Sequence, residues 1–229
     1  MDTVPDLADF VRAHARERPD RPALLEPGTG ARVTWEELDD QVDRVAAGLA
    51  EYGVLGSRRV LLAVSNRIEF VVAYLAALRA QAIACPVHPG LAAPDFVRLI
   101  GATGPAVVVG DPGSLAALRS AAATAERRPV VVAIGAPAER GEVGYDALLK
   151  HDPAPMPVLR DPERLAVLLV TADSAGRTRL AMLTVRALRA SIEQVAVLDP
   201  PAFTSDDVDR KSTRLNSSHS RASRMPSSA

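Results

Sequence analysis

Five short, almost wholly apolar runs recur along the chain: Val60–Val64, Ile83–Val87, Ala106–Val109, Val130–Ile134 and Leu165–Val170. Runs this short, bounded by turn residues, fit strands buried on both faces, because a strand with one wet face alternates apolar and polar positions. Between them lie segments with apolar residues at helical spacing, Glu69–Ala80, Pro94–Ala102 and Ser114–Arg127. Strand and helix in alternation predict an α/β fold, a mainly parallel sheet flanked by helices, since parallel neighbours need a crossover long enough to be helical.

The flanking segments extend this pattern. Leu7–Arg18 carries Leu7, Phe10, Val11 and His14 on one helical face and stops before Pro19. Ala23–Leu25 and Ala31–Thr34 straddle Pro27-Gly-Thr-Gly30, which reads as a hairpin. Trp35–Tyr52 reads as a helix closed by Gly53, with Leu38, Val42, Val45, Ala46 and Leu49 facing inward. Thr34 and Glu37 have the spacing of a capping box at its start. From Gly135 to Arg160 the chain is a Pro/Gly-rich connection with one short helix at Tyr145–Lys150. Pro153, Pro155 and Pro157 there make a stiff spacer. Thr184 is placed to cap a last helix running to about Val197, and no internal repeat interrupts what reads as one fold unit.

Composition narrows the function classes. With 229 residues, 48% of them hydrophobic and 24% charged, the chain can bury a sizeable core; with aromatics at only 3%, that core must be aliphatic. A net charge of −1 gives no reason to expect nucleic acid or an anionic membrane as partner. The single cysteine, Cys85, excludes an internal disulfide framework, fits a reducing compartment and sits in an apolar run, where a packing thiol is expected. The acidic start, Met1-Asp-Thr-Val-Pro-Asp6, lacks the basic residues and apolar stretch of a signal peptide. No apolar run approaches the roughly 18 residues of a membrane span, and no histidine stands at metal-ligand spacing. A cytoplasmic protein without a metal site of its own is the expectation.

Chemistry concentrates where the run Leu165–Val170 enters Thr171-Ala-Asp-Ser-Ala-Gly-Arg-Thr-Arg179. A buried strand would deliver this loop to the edge of a sheet. There the hydroxyls of Thr171, Ser174 and Thr178, backbone amides freed by Gly176, and the cations Arg177 and Arg179 suit polyphosphate oxygens. A polar turn between two strands, with no ligand, is the plainer reading of the same residues.

This loop resembles the phosphate loop of the adenylate-forming, or AMP-binding, enzymes, the superfamily of acyl-CoA synthetases, peptide-synthetase adenylation domains and luciferases. Thr171, Ser174, Gly176 and Arg177 match it, Arg179 stands where lysine is usual, and Thr184 matches the following helix start. Asp173 and Leu180 replace glycines, Thr178 a proline and Val185 a histidine. Upstream, Thr34-Trp35-Glu-Glu37-Leu38, Gly53, Arg59-Val60, Asn66, Glu69-Phe70, Tyr74–Ala77, Pro86-Val87 and Pro89 follow the family's order and spacing, so the likeness runs from about Asp6 to Val208. Gln81 sits where glycine is usual, and Ser57-Arg58 replaces Gly-Asp. Most of these upstream residues have structural readings: Trp35 as packing at a helix start, Asn66 as a turn or cap.

The resemblance implies the first subdomain of the family's large N-terminal domain and a two-step ligation. A carboxylate and ATP, accompanied by Mg2+, give an acyl-adenylate, and a thiol, usually coenzyme A, then takes the acyl group. Fatty-acid metabolism is the implied setting. Thr171, Ser174, Gly176, Arg177 and Arg179 are the implied nucleotide-binding residues, with no catalytic residue assigned; the partners are a small carboxylate and a nucleotide. Asp209–His219 and Ser223–Ala229 resemble a translated sequencing-library adaptor, so residues 1–208 read as part of an adenylation domain and 209–229 as a non-native, disordered tail. A natural Ser/Arg tail is the alternative. On that reading the chain is the front piece of a longer enzyme and is not expected to catalyse alone. Two other classes stay open: a non-catalytic relative, for which Asp173 and Leu180 speak, and a P-loop hydrolase, which Thr171 and Arg177 oppose at its two defining positions.

Overall fold

The computed structural model describes residues 7–156, 161–172 and 178–198. Helix α1 (Leu7–Glu17) leads into a hairpin of β1 (Pro22–Glu26) and β2 (Ala31–Thr34), then α2 (Trp35–Glu51). The capping box forms as the sequence predicts: Glu37 N–H donates to Thr34 Oγ1 at 3.2 Å, and Thr34 N–H donates to Glu37 Oε2 at 2.9 Å. Two donors that any helix start leaves unpaired are thereby satisfied, and the start of α2 is fixed. Trp35 packs partly buried against the core, its ring 4.7 Å from that of His14 on α1.

The expected alternation follows: β3 (Arg59–Ala63), α3 (Ile68–Arg79), β4 (Ile83–Pro86), α4 (Ala93–Thr103), β5 (Val107–Gly110), α5 (Leu115–Thr124) and β6 (Val130–Ala133). Strand β7 (Val143–Gly144), α6 (Tyr145–Leu148), β8 (Leu165–Ala172), β9 (Thr178–Thr184) and α7 (Val185–Ala196) complete the described elements. The sheet has the order β7-β6-β5-β3-β4-β8-β9, and only the β8–β9 pair is antiparallel.

Alternate residues of the central strands feed two aliphatic cores. Val60, Leu62, Ala84, Val107, Val109 and Val167 pack with the apolar faces of α1, α2 and α3. Leu61, Ala63, Ile83, Cys85, Val108 and Leu168 pack with α4 and α5. Because both faces are covered, nearly every residue of β3, β4 and β5 is buried, which is why these strands read as continuous apolar runs.

The structure departs from the sequence reading at particular places. Helix α5 stops at Thr124, short of Arg127, because Glu126, Arg127 and Arg128 are exposed and supply nothing for a core-facing helix to bury. The connection after Ile134 contains β7, a two-residue edge strand too short to show periodicity. The largest correction concerns the loop read over Thr171–Arg179 and the unassigned residues after it: β8 runs on through Thr171 to Ala172, and Thr178–Thr184 forms β9, whose Leu180 and Leu183 alternate between the two cores as a strand requires. Thr184 still caps α7, accepting from Ala187 N–H at 3.2 Å. The tail from Asp209 lies outside the described residues.

A buried cation ties the helical layer together. The side chain of Arg79, 5% exposed at the end of α3, lies 2.7 Å from Asp39 and 2.8 Å from Asp43 on α2, and it donates to the Ala8 carbonyl of α1 at 2.7 Å. Arg12 of α1 meets Asp43 at 2.9 Å. Just beyond, Gln81 occupies the left-handed region at φ +60°, which explains the glycine usual at this position of the family pattern. Its Oε1 is buried with no hydrogen-bond partner among the described residues.

Replacing Arg79 with Ala strands two half-buried carboxylates, so urea unfolding should show a loss of about 3 kcal/mol. Pairing Arg79→Met with Asp39→Asn and Asp43→Asn should lose far less. Gln81→Gly should stabilise the fold by about 1 kcal/mol, since it relieves an unfavourable backbone conformation; thermal melting checks the sign.

Candidate functional site

In open α/β sheets, ligands bind outside the carboxyl ends of the strands, at the point where strand order reverses. Here β3 has β4 on one side and β5 on the other, so the reversal falls between β3 and β5. Ser65, Asn66 and Arg67 follow β3, and Asp111, Pro112, Gly113 and Ser114 follow β5.

That crevice is filled by the protein's own carboxylate. Ser65 N–H donates to Asp111 Oδ2 at 2.9 Å, the Ser65 hydroxyl donates to the same oxygen, and Gly113 N–H donates to Oδ1 at 3.0 Å. Ser114 supports the turn, its hydroxyl donating to the Ala63 carbonyl at 2.6 Å and accepting from Asp111 N–H at 3.1 Å. A Cβ on Gly110 would lie 2.9 Å from Ser114 Oγ, so glycine there lets the turn close. Asp111 is 2% exposed. Burial opposes its charge, but the bonds from Ser65 and Gly113, with the Arg67 cation nearby, more than compensate and hold the carboxyl below its ordinary 3.8. Arg67 is itself held by Glu69 at 2.8 Å. The donors that could grip a ligand anion at the switch point already hold an internal one. Sequence reading did not single out this cluster, although Asp111-Pro-Gly-Ser114 has the composition of an Asx turn before a helix.

The sequence-derived phosphate loop lies elsewhere, at the tip of the β8–β9 hairpin. Thr171 belongs to β8 rather than to a loop, and it pairs directly with Arg179 of β9. Directly opposed residues share a face, so the Thr171 hydroxyl and the Arg179 guanidinium stand together on one side, both exposed. Ser174, Gly176 and Arg177, with Asp173, lie outside the described residues. Leu180 turns to the opposite face and packs against the α4–α5 core. Val185, where the family pattern has histidine, is buried in the α1–α3 core.

Other groups fall away from this edge or from chemistry. A cavity of about 430 Å3 lined by Arg12, Asp43, Arg79 and Gln81 adjoins the amino end of β4, opposite the hairpin tip. Cys85 is buried, and burial pushes its thiol up to about 12, which matches the expected packing role. Among the described residues, no three His, Cys, Asp or Glu side chains gather as a metal site, and no helix is long and apolar enough to cross a membrane.

Comparison with known proteins fits this architecture. The sequence pattern of the family described as AMP-binding enzyme matches residues 11–213, and the chain belongs to that family. Among curated relatives, 4-coumarate–CoA ligase 5 of Oryza sativa subsp. japonica is 32% identical over 197 residues, covering 84% of this chain and 35% of the relative. Salicyl-AMP ligase / salicyl-S-ArCP synthetase of Mycobacterium tuberculosis (strain ATCC 25618 / H37Rv) is 40% identical over 121 residues, 50% of this chain and 20% of the relative. The chain thus spans about a third or less of the length of these curated relatives. The crystal structure of the anthranilate CoA ligase AuaEII with anthranoyl-AMP shares the fold, with a TM-score of 0.78 at 15% identity over 84% of this chain and 37% of that one.

Because the Asp111 carboxyl is depressed below 3.8 in the folded chain, its stabilisation is fully present above the unfolded value and is lost as pH falls through the folded one. Unfolding midpoints measured from pH 6 down to about pH 2 should therefore fall more steeply in the parent than in Asp111→Asn, the difference being lost below about pH 4.

Proposed function

We propose that this chain is the phosphate-gripping part of an ATP-dependent carboxylate-activating ligase of the acyl-CoA synthetase kind. In this reaction a carboxylate oxygen attacks the α-phosphorus of ATP, the bond to the β-phosphate oxygen breaks, and pyrophosphate leaves. A thiol then attacks the acyl carbon of the acyl-adenylate and AMP departs. Both steps are dominated by positioning and charge stabilisation, so a loop that holds the departing phosphates supplies what they need. The donor set is suited to holding them. Thr171 and Ser174 offer hydroxyls, Gly176 lets backbone amides approach, and Arg177 and Arg179 offset phosphate charge. Mg2+ bound to ATP would neutralise further charge. Arg179 in place of lysine keeps the cation but changes its reach.

The single observation that supports this reading most is the register pair Thr171–Arg179, a hydroxyl and a cation side by side at the tip of the hairpin in a chain of this family. The names of the relatives point to coenzyme A or a carrier-protein thiol as acceptor. Coenzyme A is the acceptor we favour, with fatty or aromatic acids as the substrate class and a cytoplasmic setting. Residues 1–208 form the adenylation part on this view and 209–229 an appended segment; resequencing the gene past codon 208 tests that boundary. Turnover then depends on the segments that the longer relatives carry.

The β8–β9 hairpin bears on the P-loop alternative, since a P-loop runs from strand into helix, whereas β8 runs through its loop into an antiparallel strand. A non-catalytic relative is favoured by Asp173, whose carboxylate would oppose a triphosphate.

Carboxylate-dependent exchange of labelled pyrophosphate into ATP, in a chain extended through the relatives' remaining segments, should be lost when Arg179 becomes Ala. Asp173→Gly should lower the apparent KM for ATP by about fivefold, one removed like charge screened by water being worth on the order of 1 kcal/mol. An unchanged KM would remove the phosphate role from this loop; carboxylate-independent hydrolysis would favour the P-loop class.

A further inference from the structure

The cavity at the amino end of β4 is lined by a residue that the fold holds in a strained conformation. Gln81 sits at φ +60°, a backbone region that residues with a Cβ rarely adopt. The residue is only 7% exposed, and its Oε1 has no hydrogen-bond partner among the described residues. A buried, unpaired amide oxygen on a strained backbone destabilises twice over, and backbone outliers of this kind cluster at ligand clamps and active sites.

The charged groups around Gln81 are already matched. Arg12 meets Asp43 at 2.9 Å, and Arg79 meets Asp43 at 2.8 Å and Asp39 at 2.7 Å. Asp9, which also lines the cavity, has a partner of its own. Arg12 and Arg79 balance Asp9 and Asp43 in the lining, so nothing there calls for an ionic ligand. Pro153, Pro155 and Met156 of the proline-rich connection, with Ala8 of α1, make the rest of the lining apolar. At about 430 Å3 the cavity falls within the range of small-molecule sites, toward its lower end.

We propose that this cavity binds a small, uncharged, planar molecule with an amide-type edge, a lactam or an amide-bearing heterocycle, recognised by the Gln81 carboxamide. A carboxamide carries an acceptor and N–H donors side by side, and a half-turn about its last torsion exchanges their places. A lactam presents the complementary pair, N–H beside C=O, so two parallel hydrogen bonds answer the orphaned oxygen. The Met156 thioether suits an unsaturated ring. The site lies on the rim opposite the Thr171–Arg179 pair and does not depend on the phosphate reading.

The test uses 2-pyridone, a planar lactam, and N-methyl-2-pyridone, which keeps the ring and carbonyl but lacks the N–H. Each is titrated into the full chain up to about 10 mM, a range suited to ligands of so few atoms. Methionine methyl and glutamine side-chain amide resonances are followed, with Met156 and Gln81 assigned by loss of their signals in Met156→Leu and Gln81→Met. The expected result is a saturable shift of both with 2-pyridone, while Met182, 72% exposed on the edge strand β9, stays still. N-methyl-2-pyridone should bind about tenfold more weakly, since it leaves the buried oxygen unpaired. Gln81→Met, which keeps the side chain's length and removes its amide, should weaken 2-pyridone binding by a similar factor. Gln81→Gly should lose binding while melting at a higher temperature, which separates loss of the ligand from loss of the fold. Equal binding of the two compounds, or an affinity unmoved in Gln81→Met, overturns recognition by Gln81. Titrations that leave Met156 unshifted overturn the site altogether, the cavity then holding water alone. Each of these results leaves the pyrophosphate-exchange test of the hairpin untouched.

Discussion

Parallel strands packed on both faces leave only the two rims of the sheet open, and in open α/β sheets ligands bind at the rim of the strands' carboxyl ends. In β3, β4 and β5 the covering is nearly complete, with α1, α2 and α3 on one side and α4 and α5 on the other. Because each connecting helix runs back against its strand, the two rims of the sheet differ. The amino-end rim holds Arg79, Asp39, Asp43 and Gln81, a set of buried and half-buried polar groups that mostly answer one another. The carboxyl-end rim holds Ser65, Arg67, Glu69 and Asp111, bound to one another, and the exposed pair Thr171 and Arg179.

Two positions on that second rim could bind an anion, and the fold treats them differently. At the switch point, the Ser65 and Gly113 amides converge on Asp111, a tethered carboxylate that needs no ligand. Such a turn rigidifies the β3 and β5 ends and denies phosphate its usual place in a doubly wound sheet. At the hairpin, the cation and hydroxyl of the register pair are both exposed. On the reading proposed above, an external polyphosphate would be met where the sheet changes from parallel to antiparallel.

Much of this was legible in the sequence, for physical reasons that differ by element. The buried strands could be read because two-sided burial demands uninterrupted apolar runs, and α2 because Thr34 and Glu37 can satisfy its start from local residues alone. Strand β9 was legible only in the plainer reading of the loop, a turn between two strands, because Arg179-Leu-Ala-Met-Leu-Thr184 sits at a sheet edge, where Met182 is exposed and pairing with β8 supplies the order. The Arg79 network escaped because its partners, Ala8, Asp39 and Asp43, come from two other helices. In the candidate site, the types of Thr171 and Arg179 were readable, but their side-by-side placement is a property of register, which one strand's sequence does not carry.

The hairpin also changes how the loop's departures from its family pattern weigh against one another. A strand sends alternate residues to opposite faces, so a substitution next to a binding residue can be remote from the ligand. Leu180, although adjacent to Arg179, packs into the α4–α5 core and adds apolar burial on the face away from the phosphate side. Val185 is likewise interior, its side chain filling the α1–α3 core at the start of α7. Neither residue places charge or bulk beside the Thr171–Arg179 pair. Asp173 is of another kind, because on the proposed reading a carboxylate in this stretch of sequence would oppose phosphate oxygens by like charge. The question of whether this chain grips a nucleotide therefore narrows from four substitutions to two, Asp173 and Thr178, and at Asp173 the physical term is electrostatic rather than the packing of the fold.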